Sequence, residues 1–178
     1  MKIKFWLLDI NPRIEEGIPV ELWLWGIDTQ GNRVLAIDRN FSAYFYVVVK
    51  EGFDVSLTAK KIMDLCQPSI MKTEIMERRF FGKPVQAIKV YSKVATETGK
   101  LARQLRELEA VEDCLEDDIR IPMQYLIDND VAPCAWHEVD AEEERTLPNA
   151  RVDGVYAVRS APKQLDVVEK PVFRTLSF

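Results

Sequence analysis

Apolar positions along this chain change period several times, and each change marks an element. Tyr44-Phe45-Tyr46-Val47-Val48-Val49 is aromatic and β-branched throughout, the composition of a buried strand. From Ser56 to Cys66 the period becomes helical. Ala59, Ile62, Met63 and Cys66 share one face, and Asp54 or Ser56 can cap the start. Ile70 to Phe81 is extended, Gly82-Lys83-Pro84 punctuates it, and Val85 to Tyr91 returns as a strand close enough to pair as a hairpin. Leu101, Leu105 and Leu108 form a stripe on a helix from about Thr96 to Glu107. Val111 to Asp118 closes the run as an acidic strand.

The flanks read mostly as β. Ile3 to Ile10 is a strand broken by Asn11-Pro12, and Glu15 to Pro19 is a turn-like connection. Val20 to Asp28 sets Leu22, Leu24 and Gly26 opposite Trp23 and Trp25. Thr29-Gln30-Gly31-Asn32 signals a hairpin into the strand Arg33 to Ile37. Later, Ile119 to Pro122 leaves the sheet, and Met123 to Asp128 is a short helix ending near Asn129-Asp130. Ala135 to Val139 is a strand, and Asp140 to Glu144 an acidic, solvated loop. Val152 to Ser160 and Lys170 to Phe178 are strand-like. The layout predicts an α+β fold. Residues 1–40 and 119–178 make an outer, barrel-like β-layer, and residues 41–118 form an inserted βαββαβ subdomain of RRM or ferredoxin-like order. Trp6, Trp23 and Trp25 are expected to plug the β-layer rather than bind a ligand.

Alternation gives the inserted sheet two different faces. Phe45, Val47, Val49, Ile88 and Val90 point to the helices; Tyr44, Tyr46, Val48, Ala87, Lys89 and Tyr91 point away. Tyrosines and a lysine on two adjacent strands are the chemistry of a base-stacking platform. The alternative is that another part of the chain covers them.

Composition narrows the function. The chain has 178 residues, 47% of them hydrophobic and 30% charged, with 24 basic against 29 acidic side chains and a net charge of −5. Such a chain does not attract nucleic acid as a whole, so any contact must come from stacking or a local basic patch. Three widely spaced cysteines, Cys66, Cys114 and Cys134, fit reduced thiols better than a disulfide frame or zinc site. The first residues are too briefly apolar for a signal peptide, and no run is long enough to span a membrane. A cytoplasmic location follows. The single histidine, His137, argues against a catalytic triad, and no glycine loop for phosphate is present. Glu116, Asp117 and Asp118 read as a charged strand end rather than a metal site. No catalytic residue, metal ligand or cofactor site is assigned.

Several stretches, in order, resemble the N-terminal domain of family B DNA polymerases of the archaeal type, with similarity to the eukaryotic replicative enzymes. They are Glu15-Glu16-Gly17 with Pro19-Val20; Asp38-Arg39 with Phe41 and Tyr44-Phe45-Tyr46; Phe81-Gly82-Lys83-Pro84 with Lys89-Val90-Tyr91; and Tyr125-Leu126-Ile127-Asp128. Leu176-Ser177-Phe178 resembles the strand that leads, in the family, into the Asp-Ile-Glu of the 3′–5′ exonuclease. The resemblance implies that the chain ends one residue before that motif. The exonuclease and polymerase carboxylates, and the magnesium they hold, would then belong to missing domains.

It further implies replication of DNA, in place with the chromosome. Single-stranded template DNA and the exonuclease and polymerase domains would be the partners, with no membrane. Template contact would fall to Tyr44, Tyr46, Lys89 and Tyr91, with Arg78, Arg79, Lys83 and Arg120 as phosphate neighbours. Archaeal members sense template uracil, and the matching positions are Pro12, Ala43, Tyr44, Ala87, Ile119 and Ile121. Tyr44 matches the family's pocket tyrosine and Ile119 an apolar wall. Ala43 stands for proline, Ala87 for valine and Ile121 for phenylalanine, and near Pro12 the family has tyrosine. These changes imply a wider, degenerate uracil pocket. Two other readings are a free-standing RRM-like RNA-binding protein and a purely structural domain.

Overall fold

The computed structural model describes residues 1–15, 20–144 and 150–173. Elements follow in the order Lys2–Arg13 (β1), Glu21–Asp28 (β2), Arg33–Asp38 (β3), Tyr44–Val49 (β4), Val55–Cys66 (α1), Ile70–Phe80 (β5), Lys83–Ser92 (β6), Thr98–Arg106 (α2), Val111–Leu115 (β7), Ile121–Asp128 (α3), Trp136–Glu143 (β8), Gly154–Val158 (β9) and Lys163–Gln164 (β10). Two compact units result. Met1–Arg13, Glu21–Phe41 and the residues from Pro122 onward form one; Ser42–Ile121, with Ile14, Glu15 and Val20, form the other.

The first unit is a closed five-stranded barrel, β1-β2-β3-β9-β8, sealed by pairing of β8 with β1; β10 adds to β8. Among the described residues only β3 and β9 of this unit run parallel. Phe5, Leu7, Leu22 and Leu24 are fully buried. Gly26 is required on β2 because a Cβ there would lie 2.5 Å from Phe5 Cδ2 and 2.6 Å from the Trp6 carbonyl. Trp6 is buried edge-on to Trp136 at 5.8 Å, and Trp23 and Trp25 pack against Leu35, Ile37 and Val155. The tryptophans therefore pack, as their positions predict. His137 is fully buried, its Nδ1 3.0 Å from the Ala135 carbonyl, and desolvation holds its pKa below the ordinary histidine value.

Three expectations change here. Asn11-Pro12 does not end β1. Pro12 lies opposite Leu22, and β8 pairs with β1 only from Lys2 to Trp6, so among the described residues no ladder needs the missing N–H. The acidic stretch from Asp140 is strand rather than loop: buried Ala141 lies between exposed Asp140 and Glu142, and β9 pairs with Ala141, Glu142 and Glu143. Lys170 to Phe173 is not strand, whereas the two-residue β10 went unread because so short a strand shows no period. The turn at Glu16 to Pro19 and the strand end Arg174 to Phe178, with its Leu176-Ser177-Phe178, lie outside the described residues.

The second unit has the order β-α-β-β-α-β and a four-stranded antiparallel sheet, β5-β6-β4-β7. Its core joins Phe45, Val47, Val49, Ile88 and Val90 to Ala59, Ile62 and Cys66 of α1 and Leu101, Ala102 and Leu105 of α2. Asp54 caps α1, accepting from the Leu57 N–H at 2.8 Å. The closing strand stops at Leu115, three residues early. Glu116 turns the chain at a φ of 64°, and Asp117 is drawn onto Arg106 at 2.9 Å.

Candidate nucleic-acid interface

The face of the second sheet away from its helices carries the side chains that alternation assigns to it. Register sets Tyr44 opposite Tyr91, Tyr46 opposite Lys89 and Val48 opposite Ala87. The Tyr44 ring lies 5.5 Å from Tyr46 and 6.0 Å from Tyr91. Between them, Lys89 Nζ sits 3.5 Å from the Tyr44 centroid, 5.1 Å from Tyr91 and 5.8 Å from Tyr46. Cations over ring faces are held by the negative centre of the π-system. Exposure divides the four residues: Tyr44 and Lys89 are 2% and 8% exposed, whereas Tyr46 and Tyr91 are half-buried.

The edge strand β5 extends this face. Lys72, Glu74, Met76 and Arg78 stand opposite Tyr91, Lys89, Ala87 and Val85. Lys72 lies over the Tyr91 ring at 4.3 Å and pairs with Glu74 at 2.6 Å; the Tyr91 hydroxyl donates to Glu74 at 2.8 Å. Lys72 first, then Tyr91, holds the Glu74 carboxyl below the usual range. Arg78 covers Tyr46 at 5.5 Å, and its hydrogen bond to that tyrosine raises its pKa further. A cavity of about 120 Å³ opens beside these two, lined also by Val48, Val85, Ala87, Phe80, Leu115 and Glu116. Lys72, Glu74 and the lining residue Leu115 were not singled out from sequence, although the parity that marks Lys89 and Val48 applies equally to β5.

The remaining positions are scattered. Arg79 alternates to the helix side yet borders the same cavity; Lys83 is exposed near the hairpin tip, and Arg120 is exposed beyond β7. Of the uracil-pocket positions, Ala43, Tyr44 and Ala87 are buried and Ile119 and Ile121 half-buried in the second unit, while Pro12 belongs to the barrel. A larger cavity of about 560 Å³ lies in the barrel unit, between the β2–β3 turn, Lys4, Trp136 and residues 165–172, and contains none of these positions. Among the described residues no cluster of three metal-ligating side chains occurs, and no helix is long and apolar enough to cross a membrane.

No protein-family model matches the chain. Relatives do. DNA polymerase 2 of Aeropyrum pernix is 31% identical over 158 residues, covering 88% of this chain and 20% of that protein. DNA polymerase 3 of Saccharolobus shibatae is 28% identical over 152 residues, covering 85% and 19%. The structure of the family B DNA polymerase from the hyperthermophilic archaeon Pyrobaculum calidifontis superposes with a TM-score of 0.78 at 33% identity, over 95% of this chain and 21% of that chain. The chain is related to the N-terminal region of family B DNA polymerases. It spans about one fifth of the length of the polymerases it matches. Barrel and second sheet together lie within that polymerase region, so the ordered resemblance read from the sequence holds.

Proposed function

We propose that this chain serves as the template-contacting N-terminal region of a DNA-directed DNA polymerase, and that it braces an adjoining exonuclease domain. The helix-free face of the second sheet carries the reading. Tyr46 and Tyr91 offer partly open rings, Arg78 stands over a cavity of about 120 Å³ beside Tyr46, and Tyr44 with Lys89 stiffens the platform from beneath. A stacking surface with cations at its margin suits single-stranded DNA of any sequence. The sheet order supports likening this unit to RRM and ferredoxin-like modules, whose free face takes single strands.

Phosphodiester chemistry and its magnesium ions would belong to carboxylates outside these 178 residues, so no catalytic step is derived for them. Work on the chromosome would place the chain inside the cell. Uracil sensing through the second unit's Ala43, Tyr44, Ala87, Ile119 and Ile121 would be degenerate, because alanines at 43 and 87 pack less closely around a base.

Titration of a labelled single DNA strand tests the proposal. Tyr46→Ala should weaken binding about tenfold, within the range of one lost stacking contact. Equal affinity would remove the platform and leave a structural role. Uracil- and thymine-containing strands should bind alike; a preference for uracil would restore a selective pocket.

A further inference from the structure

The β5–β6 hairpin ends in an aromatic tip. Phe80 pairs with Lys83, leaving Phe81-Gly82 as a two-residue turn with φ of 48° and 79°. Both values lie in the left-handed region, where such turns favour Asn, Asp or Gly first and glycine second. Gly82 meets its position's demand. Phe81 does not, since a bulky side chain at positive φ is an outlier. The ring is also 91% exposed, touching Phe80 at a centroid distance of 4.6 Å. Neither the backbone conformation nor the exposure is returned as packing, the combination that marks a residue kept for contact with something else.

Charge indicates what that is. Arg78, Arg79 and Lys83 flank the tip; Glu77 stands beside them on β5, and Glu116 reaches Arg78 from the far side of the cavity, in a chain of net charge −5. Among the described residues no acid pairs with Arg79 or Lys83. A local cationic margin around a free π-face complements a polyanion that also carries flat rings. An acidic peptide would satisfy the charge and leave the ring without a stacking partner.

We propose that Phe81 stacks against one base of a single nucleic-acid strand, with Arg79 and Lys83 taking the flanking phosphates. This rests on the reading that the second unit meets the template strand, and adds a contact at the hairpin end, separate from Tyr46.

Phe81→Gly separates binding from folding, because glycine suits the backbone of this turn. Its melting temperature should equal or exceed that of the wild type. Its affinity for a labelled oligothymidylate should fall about tenfold. Affinity for an abasic strand of equal length and charge should not change, and Phe81→Tyr should bind as the wild type does. An iodouracil-substituted strand should photo-crosslink to the peptide containing Phe81. Unchanged oligothymidylate affinity in Phe81→Gly overturns the proposal, as does an equal loss on both strands. Tyr46→Ala in the same titration keeps the two readings apart. If it weakens binding while Phe81→Gly does not, the platform stands and the tip falls. If the wild-type chain binds neither strand, both fall.

Discussion

The ammonium of Lys89 lies 3.5 Å from the centroid of the Tyr44 ring, inside an enclosure that Tyr91 and Tyr46 complete. With 8% of Lys89 exposed, its ammonium lies against ring faces of its own sheet and also acts on the Glu74 carboxylate across the strand. The enclosure ties β4 to β6 on the side opposite the helices, where an apolar core would normally do that work.

Lys89→Ala should therefore destabilise the chain by about 2 kcal/mol, through the lost cation–π contact and the space left under three rings. Urea unfolding measures it, and an unchanged midpoint would mean that the enclosure contributes nothing to stability.

In the barrel unit, the Tyr125 hydroxyl donates to Asp38 at 2.8 Å, both groups buried, and Asn40 donates to the same carboxylate. Tyr125→Phe leaves that carboxylate one donor short and should cost about 1–3 kcal/mol in denaturant titrations. Burial, reinforced by Asp38, pushes the Tyr125 pKa above the ordinary tyrosine range. Stability from this group is complete below the unfolded tyrosine pKa of about 10 and is lost as pH rises beyond it. Spectrophotometric alkaline titration should show Tyr125 ionising only as the fold opens.

Thiol chemistry should separate the cysteines. Cys134 is exposed, while Cys66 and Cys114 sit in the helix–sheet core; burial raises both of their pKa values, that of Cys114 to about 12. A colorimetric thiol reagent at mildly alkaline pH should label Cys134 promptly and the other two only on unfolding. Rapid labelling of all three in the native chain would contradict the packing of α1 and α2.

Arg33 and Asp153 join the start of β3 to the approach to β9. Two side-chain bonds of 2.8 and 3.0 Å, and one from the Arg33 backbone N–H at 2.8 Å, lower the Asp153 pKa to about 2. The folded value lies below the unfolded value of about 3.9, so this contribution is present above that pH and lost as pH falls toward 2. Carboxyl NMR should place the Asp153 midpoint near 2, and Arg33→Gln should return it toward the ordinary range.

Much of the second unit was legible because its periods are long and unambiguous. Ala59, Ile62, Met63 and Cys66 declare α1, and the parity of Phe45, Val47 and Val49 against Tyr44, Tyr46 and Val48 assigns the two faces of β4. The barrel was harder. The acidic start of the β8–β9 pairing shows its alternation through Ala141 alone, and Pro12 reads as a break unless the neighbouring strand is known to end before it. Phe81 was quoted for its place in a motif, while its exposure and positive φ emerge only with the hairpin closed.

By itself the sequence determined which residues share a face, because side-chain direction along a strand or helix follows from local backbone geometry. It also carried the resemblance to family B polymerases, through the order of short motifs, which the relatives and the solved structure bear out. Only the tertiary structure decided how far each side chain is exposed. Tyr44 and Tyr46 stand two residues apart on one face, yet the first is buried and the second partly open. Exposure depends on long-range neighbours brought in by chain closure, and no local period encodes them.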